Sequence, residues 1–218
     1  MHPIWLLLAT ILSLVFGLPV AAAPTAEEEA AYTRTITARA DKIVAPLGLS
    51  DAAKSGRIRE LLVQQYRDLR DIHAKRDAKI AEVRASADPA LGAAWKSLAE
   101  KEATLNIFPL HRRFVAHLEA ELTSEQVNQV KDGMTYGVVP LTYRRYRELL
   151  PELTVEQQAE IMANLLEARE YAMDAGSAEE KHAWFGKYKG RINNYLSAAG
   201  YNMKQAEQDL AEREKAAQ

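Results

Sequence analysis

Apolar side chains in this chain recur at steps of three and four residues, and period-two alternation is nearly absent, so the pattern predicts helices and almost no strands. The longest run extends from Ser50 to about Arg84. Ile58, Leu62, Leu69, Ile72 and Val83 lie along one stripe there, widened by Leu61 and Ile80. Gln65, Arg76 and Lys79 interrupt that seam. The pattern therefore favours an amphipathic helix within a bundle over a long coiled coil.

Caps and breakers divide the rest. Thr25 with Glu28 reads as a capping box opening a polar helix to about Val44, and Pro46 and Gly48 then break the chain. Asp88-Pro89 reads as an N-cap with proline at the first helical position, on a helix running past Trp95 and Leu98 towards Leu105. Pro109 is expected to start or kink a second piece through Phe114, Val115 and Leu118. Thr123 opens a helix expected to stop at Gly133, and GMTYGVVPLT (133–142) reads as the clearest internal loop. A short helix over Tyr143 to Leu150 follows, then helices opening at Thr154 and at Ser177, the second ended by Gly200. The polar tail after Asn202 reads as a frayed helix. No composition break divides the chain into two domains. The expectation is an all-α fold, a single irregular helical bundle with one long amphipathic helix.

The first residues set the expected location. Ile4 to Val20 (IWLLLATILSLVFGLPV) is apolar and leads into Ala21-Ala22-Ala23, the form of a cleaved secretory signal. Met1-His2-Pro3 lacks Lys and Arg, a departure from the usual basic start. Gly17 and Pro19 interrupt the run, which is marginal against the ~20 residues a membrane span needs. The expected cut is after Ala22, with no membrane anchor remaining and the product exported to the periplasm or beyond. The organisation is then residues 1–22 signal peptide, 23–48 polar N-terminal helix, 49–202 helical domain and 203–218 charged tail. The chain has no Cys, which excludes disulfides and lipid attachment through an N-terminal Cys. With 28 basic and 30 acidic residues the balance is near neutral, which gives no reason to expect nucleic acid or a membrane surface as partner.

Two pentapeptides repeat, Leu122-Thr123-Ser124-Glu125-Gln126 and Leu153-Thr154-Val155-Glu156-Gln157, with a looser copy at Leu49 to Ala53. Physically each is a helix start, with Thr as N-cap, Gln reaching back and Leu entering the core. LTxxQ pairs in a Cys-free helical chain also resemble the Spy/CpxP type of periplasmic chaperone. That resemblance implies an antiparallel helical hairpin, a curved dimer and unfolded protein clients.

Chemistry concentrates between Lys181 and Asn202, KHAWFGKYKGRINNYLSAAGYN, which holds five aromatics and four basic residues with no acid. On a helix from Ser177, Trp184, Phe185, Tyr188, Ile192, Tyr195 and Leu196 form one stripe, of which Phe185, Ile192 and Leu196 read as core. Gly186 and Gly190 are costly in a helix and imply either close packing of another backbone or approach of a ligand. GKYKGR lacks the spacing of a Walker A loop, and no cofactor is implied. Aromatic faces beside amide and basic donors suit a sugar or another anionic or polar ligand. A second basic-aromatic group, Tyr143 to Arg147, follows Tyr136. The candidate ligand-binding residues are Tyr136, Arg144, Arg147, Trp184, Lys187, Lys189, Arg191, Asn193 and Asn194. If the two groups pack together they form one electropositive pocket.

VKDGMTYG (130–137), EAREYAMDAGSAEEKHAWFGKYKGRINNYLS (167–197) and Gly200-Tyr201-Asn202 resemble a family of exported bacterial helical proteins of uncharacterised function. That family is thought to be sugar-binding and is often encoded near polysaccharide-degradation genes. The resemblance carries no catalytic or binding residue. His73, His111, His117 and His182 show no compact ligand spacing and read as surface or helix-capping residues, so no metal site is expected. Ser177 reads as an N-cap. Asp132 and Asp174, each near a glycine, would make a glycosidase-like pair only if the fold brings them together. The sequence therefore reads as a non-enzymatic exported binding protein for a carbohydrate or another polar or anionic ligand. The alternatives are an ATP-independent chaperone and a carboxylate-dependent polysaccharide lyase or hydrolase.

Overall fold

The computed structural model describes residues 24–84 and 89–216, and all regular structure among them is helical. The expected export signal and cleavage site fall on residues 1–23, outside the described residues, as does the cap expected at Asp88. The helices in chain order are α1 (Ala26–Val44), α2 (Ala52–Arg84), α3 (Pro89–Glu121), α4 (Ser124–Met134), α5 (Val138–Leu149), α6 (Val155–Met173), α7 (Ala178–Ala198) and α8 (Met203–Ala216). Among the described residues no helix is long and apolar enough to cross a membrane.

The sequence repeats are helix starts with an added task. Thr123 and Thr154 each accept from the N–H of the glutamine three residues on, and that glutamine accepts from the cap's own N–H. Gln126 also donates to the Leu47 carbonyl at 2.9 Å, tying the start of α4 to the turn after α1. Gln157 accepts from the Tyr201 hydroxyl at 2.9 Å, tying the start of α6 to the α7–α8 turn. A capped helix end thus doubles as a tertiary contact.

Two cores share the chain. In the first, α1, the N-terminal half of α2, the C-terminal half of α3 and α4 pack around Ile36, Leu62, Phe114, Leu118 and Val130. In the second, α5 to α8 pack around Ile161, Leu165, Phe185, Tyr188 and Leu196. Met173, near the end of α6, enters the first core and joins the two. Beyond His73 on α2 and before Leu110 on α3, the two long helices continue as an antiparallel hairpin. Among the described residues of that extension only Ala99 and Ala103 are buried.

Several expectations are corrected. Pro109 neither starts nor ends a helix, because α3 runs through it. Pro109 and Leu105 are both exposed, so the carbonyl deprived of its donor lies on the solvent side. The loop expected over 133–142 shrinks to a turn at 135–137, since Pro140 sits in the first turn of α5, where its missing N–H costs nothing. Gly133 does not stop α4. It lies inside the helix, and a Cβ there would come within 2.9 Å of Ile43 Cγ1. The described residues of the tail form a regular helix, α8, which buries Ala206 and Leu210 and docks on α5 through Arg213, whose guanidinium donates to the Glu148 carbonyl at 2.8 Å.

These contacts predict two stability losses in thermal or urea denaturation. Gly133→Ala is expected to lose about 1–3 kcal/mol by overpacking against Ile43, although alanine is the better helix former. Thr154→Ala, which removes one cap, is expected to lose about 1 kcal/mol.

Candidate functional site

The C-termini of α4 and α6 meet at one buried cation. Lys181, in the first turn of α7, is 7% exposed, and its ammonium donates to the Met134 carbonyl at 3.1 Å and the Met173 carbonyl at 3.3 Å. Those are last-turn carbonyls with no partner inside their own helices, at the negative ends of two helix dipoles. Burial pulls the Lys181 ammonium down to about 8, opposed by the charge of Asp174 and assisted by Arg39. Close approach is enforced nearby. A Cβ at Gly176 would lie 2.8 Å from the ring of His73, and His73 Nε2–H donates to the Asp174 carbonyl at 2.8 Å.

Around this joint lies a charge cluster drawn from three helices, α3, α4 and α6. Arg169, 4% exposed, donates to Asp132 Oδ1 at 2.8 Å and Asn128 Oδ1 at 2.7 Å. Lys131 donates to Glu170 Oε2 at 2.7 Å. His111 on α3 places Nδ1 2.7 Å from Asp174 Oδ2 and Nε2 3.4 Å from Glu170 Oε2. The bonds to Asp174 and then Glu170 outweigh desolvation and raise the imidazole to about 9, so it is an imidazolium at neutral pH. Burial pushes the Glu170 carboxyl up, but the hydrogen bonds from His111 and Lys131 prevail and hold it at about 2. Asp132 and Asp174 thus come to one cluster, each paired with a cation. Among the described residues no group of three or more His, Asp or Glu could hold a metal ion.

The cluster opens onto an aromatic surface along α6. Glu167, Glu170 and Tyr171 stand at i, i+3 and i+4 and share one helix face. Tyr171, 47% exposed, stacks on Trp184 of α7 with centroids 4.6 Å apart and planes 16° apart. The Lys187 ammonium lies 4.9 Å from the Trp184 centroid and the Arg191 guanidinium 4.5 Å from that of Tyr188. Arg191 also pairs with Glu167 at 3.7 Å. Burial, and then the Glu167 carboxylate, push the Tyr188 phenol up to about 12, so it stays neutral. The result is a shallow platform with cations and a carboxylate at its rim and acid and imidazolium groups on the adjoining face.

The nine residues singled out by sequence do not share one pocket. Successive residues turn about 100° around a helix, which places Trp184, Lys187 and Arg191 on the α6 flank of α7 and Lys189 and Asn193 on the α5 flank. Asn193 Oδ1 accepts from the Tyr146 hydroxyl at 2.7 Å. Asn194 is exposed on the outer side. Arg144 and Arg147 line a separate depression with Tyr143, Pro151 and Gln158. Tyr136 stacks on His182 with centroids 5.8 Å apart and has a φ of 60°, the sole non-glycine residue with positive φ among those described. For an aromatic side chain that backbone is strained and must be imposed by its surroundings. From His182 to Asn193 the helix rises about 16 Å, which separates Tyr136 from the Arg144 side. A Cβ at Gly186 or Gly190 meets nothing within 4 Å, so this glycine pair is open surface and not a helix-packing groove.

Sequence reasoning missed Tyr171, Glu170, His111 and Lys181. The surface or capping role expected for the histidines is corrected for two of them: His73 is buried and His111 is locked between two carboxylates. Glu170 and Tyr171 were visible only as members of EAREYAMD, without a spacing that names a chemistry. The chain belongs to a protein family of unknown function (DUF3826), which matches residues 33–216. Comparison with curated proteins finds no match.

The cluster predicts a pH dependence of stability. The folded state raises His111 above its ordinary value, so its contribution is complete below about pH 6.5 and is lost as pH rises through about 9. Glu170 is shifted the other way, so its contribution is complete above about 4.5 and lost as pH falls towards about 2. Lys181, lowered in the folded state, makes stability rise only between about 8 and 10.5. Urea denaturation from pH 6.5 to 8 therefore isolates His111. Wild type is expected to lose about 1 kcal/mol across that window, after solvent screening, and His111→Gln to show no such slope.

Proposed function

We propose that this member of the family is a non-enzymatic, exported binding protein that seats a carbohydrate on the Tyr171–Trp184 platform. What supports the reading above all is that stacked pair, with Tyr171 half-exposed and Trp184 partly buried, rimmed by Lys187, Arg191 and Glu167. The C–H face of a pyranose is apolar and packs on an aromatic plane, while its hydroxyls need donors and acceptors at the edge. Lys187 stands over one face of Trp184 on a flexible stem and can swing aside to bond a hydroxyl or an acidic substituent. Arg191 can exchange its long contact to Glu167 for a ligand carboxylate.

Of the nine candidates, Trp184, Lys187 and Arg191 carry this reading, with Tyr171 and Glu167 added. Tyr136, Lys189, Asn193, Asn194, Arg144 and Arg147 lie outside the platform, and the reading assigns them no contact. The LTxEQ pairs give no support to a chaperone, since their Thr and Gln side chains are occupied in caps and the tertiary bonds described above. Pairing Asp132 with Arg169 and Asp174 with His111 holds both carboxylates in ion pairs, which favours binding over a carboxylate-driven cleavage.

Calorimetry against neutral and acidic oligosaccharides tests the reading. Binding is expected for at least one class, with a tenfold or greater loss in Trp184→Ala and in Tyr171→Ala. Arg144→Ala and Arg147→Ala are expected to bind as wild type. No binding across the panel, or a loss confined to the arginine variants of α5, sinks the platform. Release of reducing ends by wild type, lost in Asp174→Asn, replaces binding with catalysis.

A further inference from the structure

The hairpin extension carries a row of large apolar side chains on its outer side. Trp95 is 49% exposed, Leu98 52%, Leu105 75% and Phe108 63%, and Leu91, 50% exposed, continues the row. All are on α3, at steps of four, three, seven and three residues, so they fall on one helix face. The opposite face of α3 already packs on α2 through Ala99, Ala103 and Leu110. Five large apolar side chains on one helix face, in two groups on either side of Lys101, are more than single scattered side chains require.

The order along the row selects its occupant. Read from either end, large apolar residues flank a charged middle. Trp95 and Leu105 are each five residues from residue 100, and Leu91 and Phe108 lie nine and eight residues from it, whereas Leu98 has Glu102 as its mirror position. At the middle Lys101 stands between Glu100 and Glu102, with Glu100 paired to Lys96 at 3.8 Å and Glu102 paired to Lys79. The two apolar pairs match their own reverse, which makes them self-complementary under a two-fold axis through the centre of the row.

We infer that the α3 row is the interface for a second copy of this chain, packed antiparallel about a two-fold axis near residue 100. Trp95 of each copy then covers Leu105 of the other, and Phe108 covers Leu91. Lys101 lies beside the axis, within reach of the acidic pair of the opposite copy. Two hairpins joined this way make a four-helix bundle, the arrangement that buries the outer faces of two-helix units. The large side chains of both rows bring together on the order of 1,000 Å² of apolar surface, near the ~1,200 Å² at which stable interfaces begin. Polar neighbours along the two hairpins supply the rest. This inference stands apart from the glycan reading, since the row and the platform share no residue.

The chain has no Cys, so single-cysteine variants report geometry without background. Sedimentation equilibrium of the mature chain is expected to give a dimer, and Leu98→Glu or Leu105→Glu a monomer with an unchanged circular dichroism spectrum. A short bismaleimide is expected to join Lys101→Cys to itself. Leu91→Cys and Phe108→Cys, each alone, are expected to stay unjoined and to cross-link only when mixed. A wild-type monomer at ~100 μM overturns the inference. So does a dimer that survives both glutamate variants, or self-joining of every single-cysteine variant, which means a parallel pair. A monomer that suppresses aggregation of an unfolded client, with the effect lost in Leu98→Glu, assigns the row to clients instead.

Discussion

The fold depends on two helices ending at the same place. α4 and α6 bring their C-terminal carbonyls together, and two negative dipole ends so close in a dry interior are unfavourable unless a cation lies between them. Lys181 supplies it, donating to Met134 and Met173 carbonyls from the first turn of α7. The arrangement has a cost, visible in the lowered Lys181 value, because an ammonium leaves water to make these bonds. In return, one side chain fixes α4, α6 and α7 relative to one another, and with them the boundary between the two cores.

That constraint propagates to the surface. With the helix ends pinned, Arg169 and Glu170 on α6 and Asp174 at its C-cap face Asn128, Lys131 and Asp132 on α4, and His111 of α3 closes the group. Each charge then has an opposite neighbour, which is the condition for keeping so many ionised groups part-buried. Tyr171 follows Glu170 on α6 and Trp184 follows Lys181 on α7 by one helical turn. The stacked pair is therefore positioned by regular helix geometry from the joint and not by a loop, so its orientation is rigid.

Much of the helical framework was legible because caps and periodicity act locally. The starts at Thr25, Thr123, Thr154 and Ser177 and the length of α2 follow from side chains that decide their own backbone. Errors arose where tertiary position overrides a local rule. Gly133 resembles a helix stop but is dictated by Ile43, a neighbour 90 residues away in the chain. Pro109 resembles a break but lies on a wet face, and Pro140 sits in a first turn. The site was half legible for the same reason. Trp184, Lys187 and Arg191 stand out by composition, whereas Tyr171 and Glu170 gain meaning only from the antiparallel packing of α6 on α7. His111 is unreadable alone, since its two carboxylate partners lie about sixty residues downstream.

The two exposed surfaces are related through α3. His111 anchors that helix in the charge cluster, and Phe108, one turn earlier, begins the apolar row, which runs outward about 25 Å to Leu91. The body around the joint is braced by two cores and several part-buried ion pairs, whereas the described residues of the extension bury only Ala99 and Ala103, add the Lys79–Glu102 pair, and tie back to α7 through Arg76, which donates to Glu180 at 3.0 Å. Alanines at such a contact let two helices approach closely but bury little apolar area, so covering the outer face would add to the stability of the extension. In the proposed antiparallel pair the chain itself provides that cover, and the stacked rings of α6 and α7 stay outside the interface.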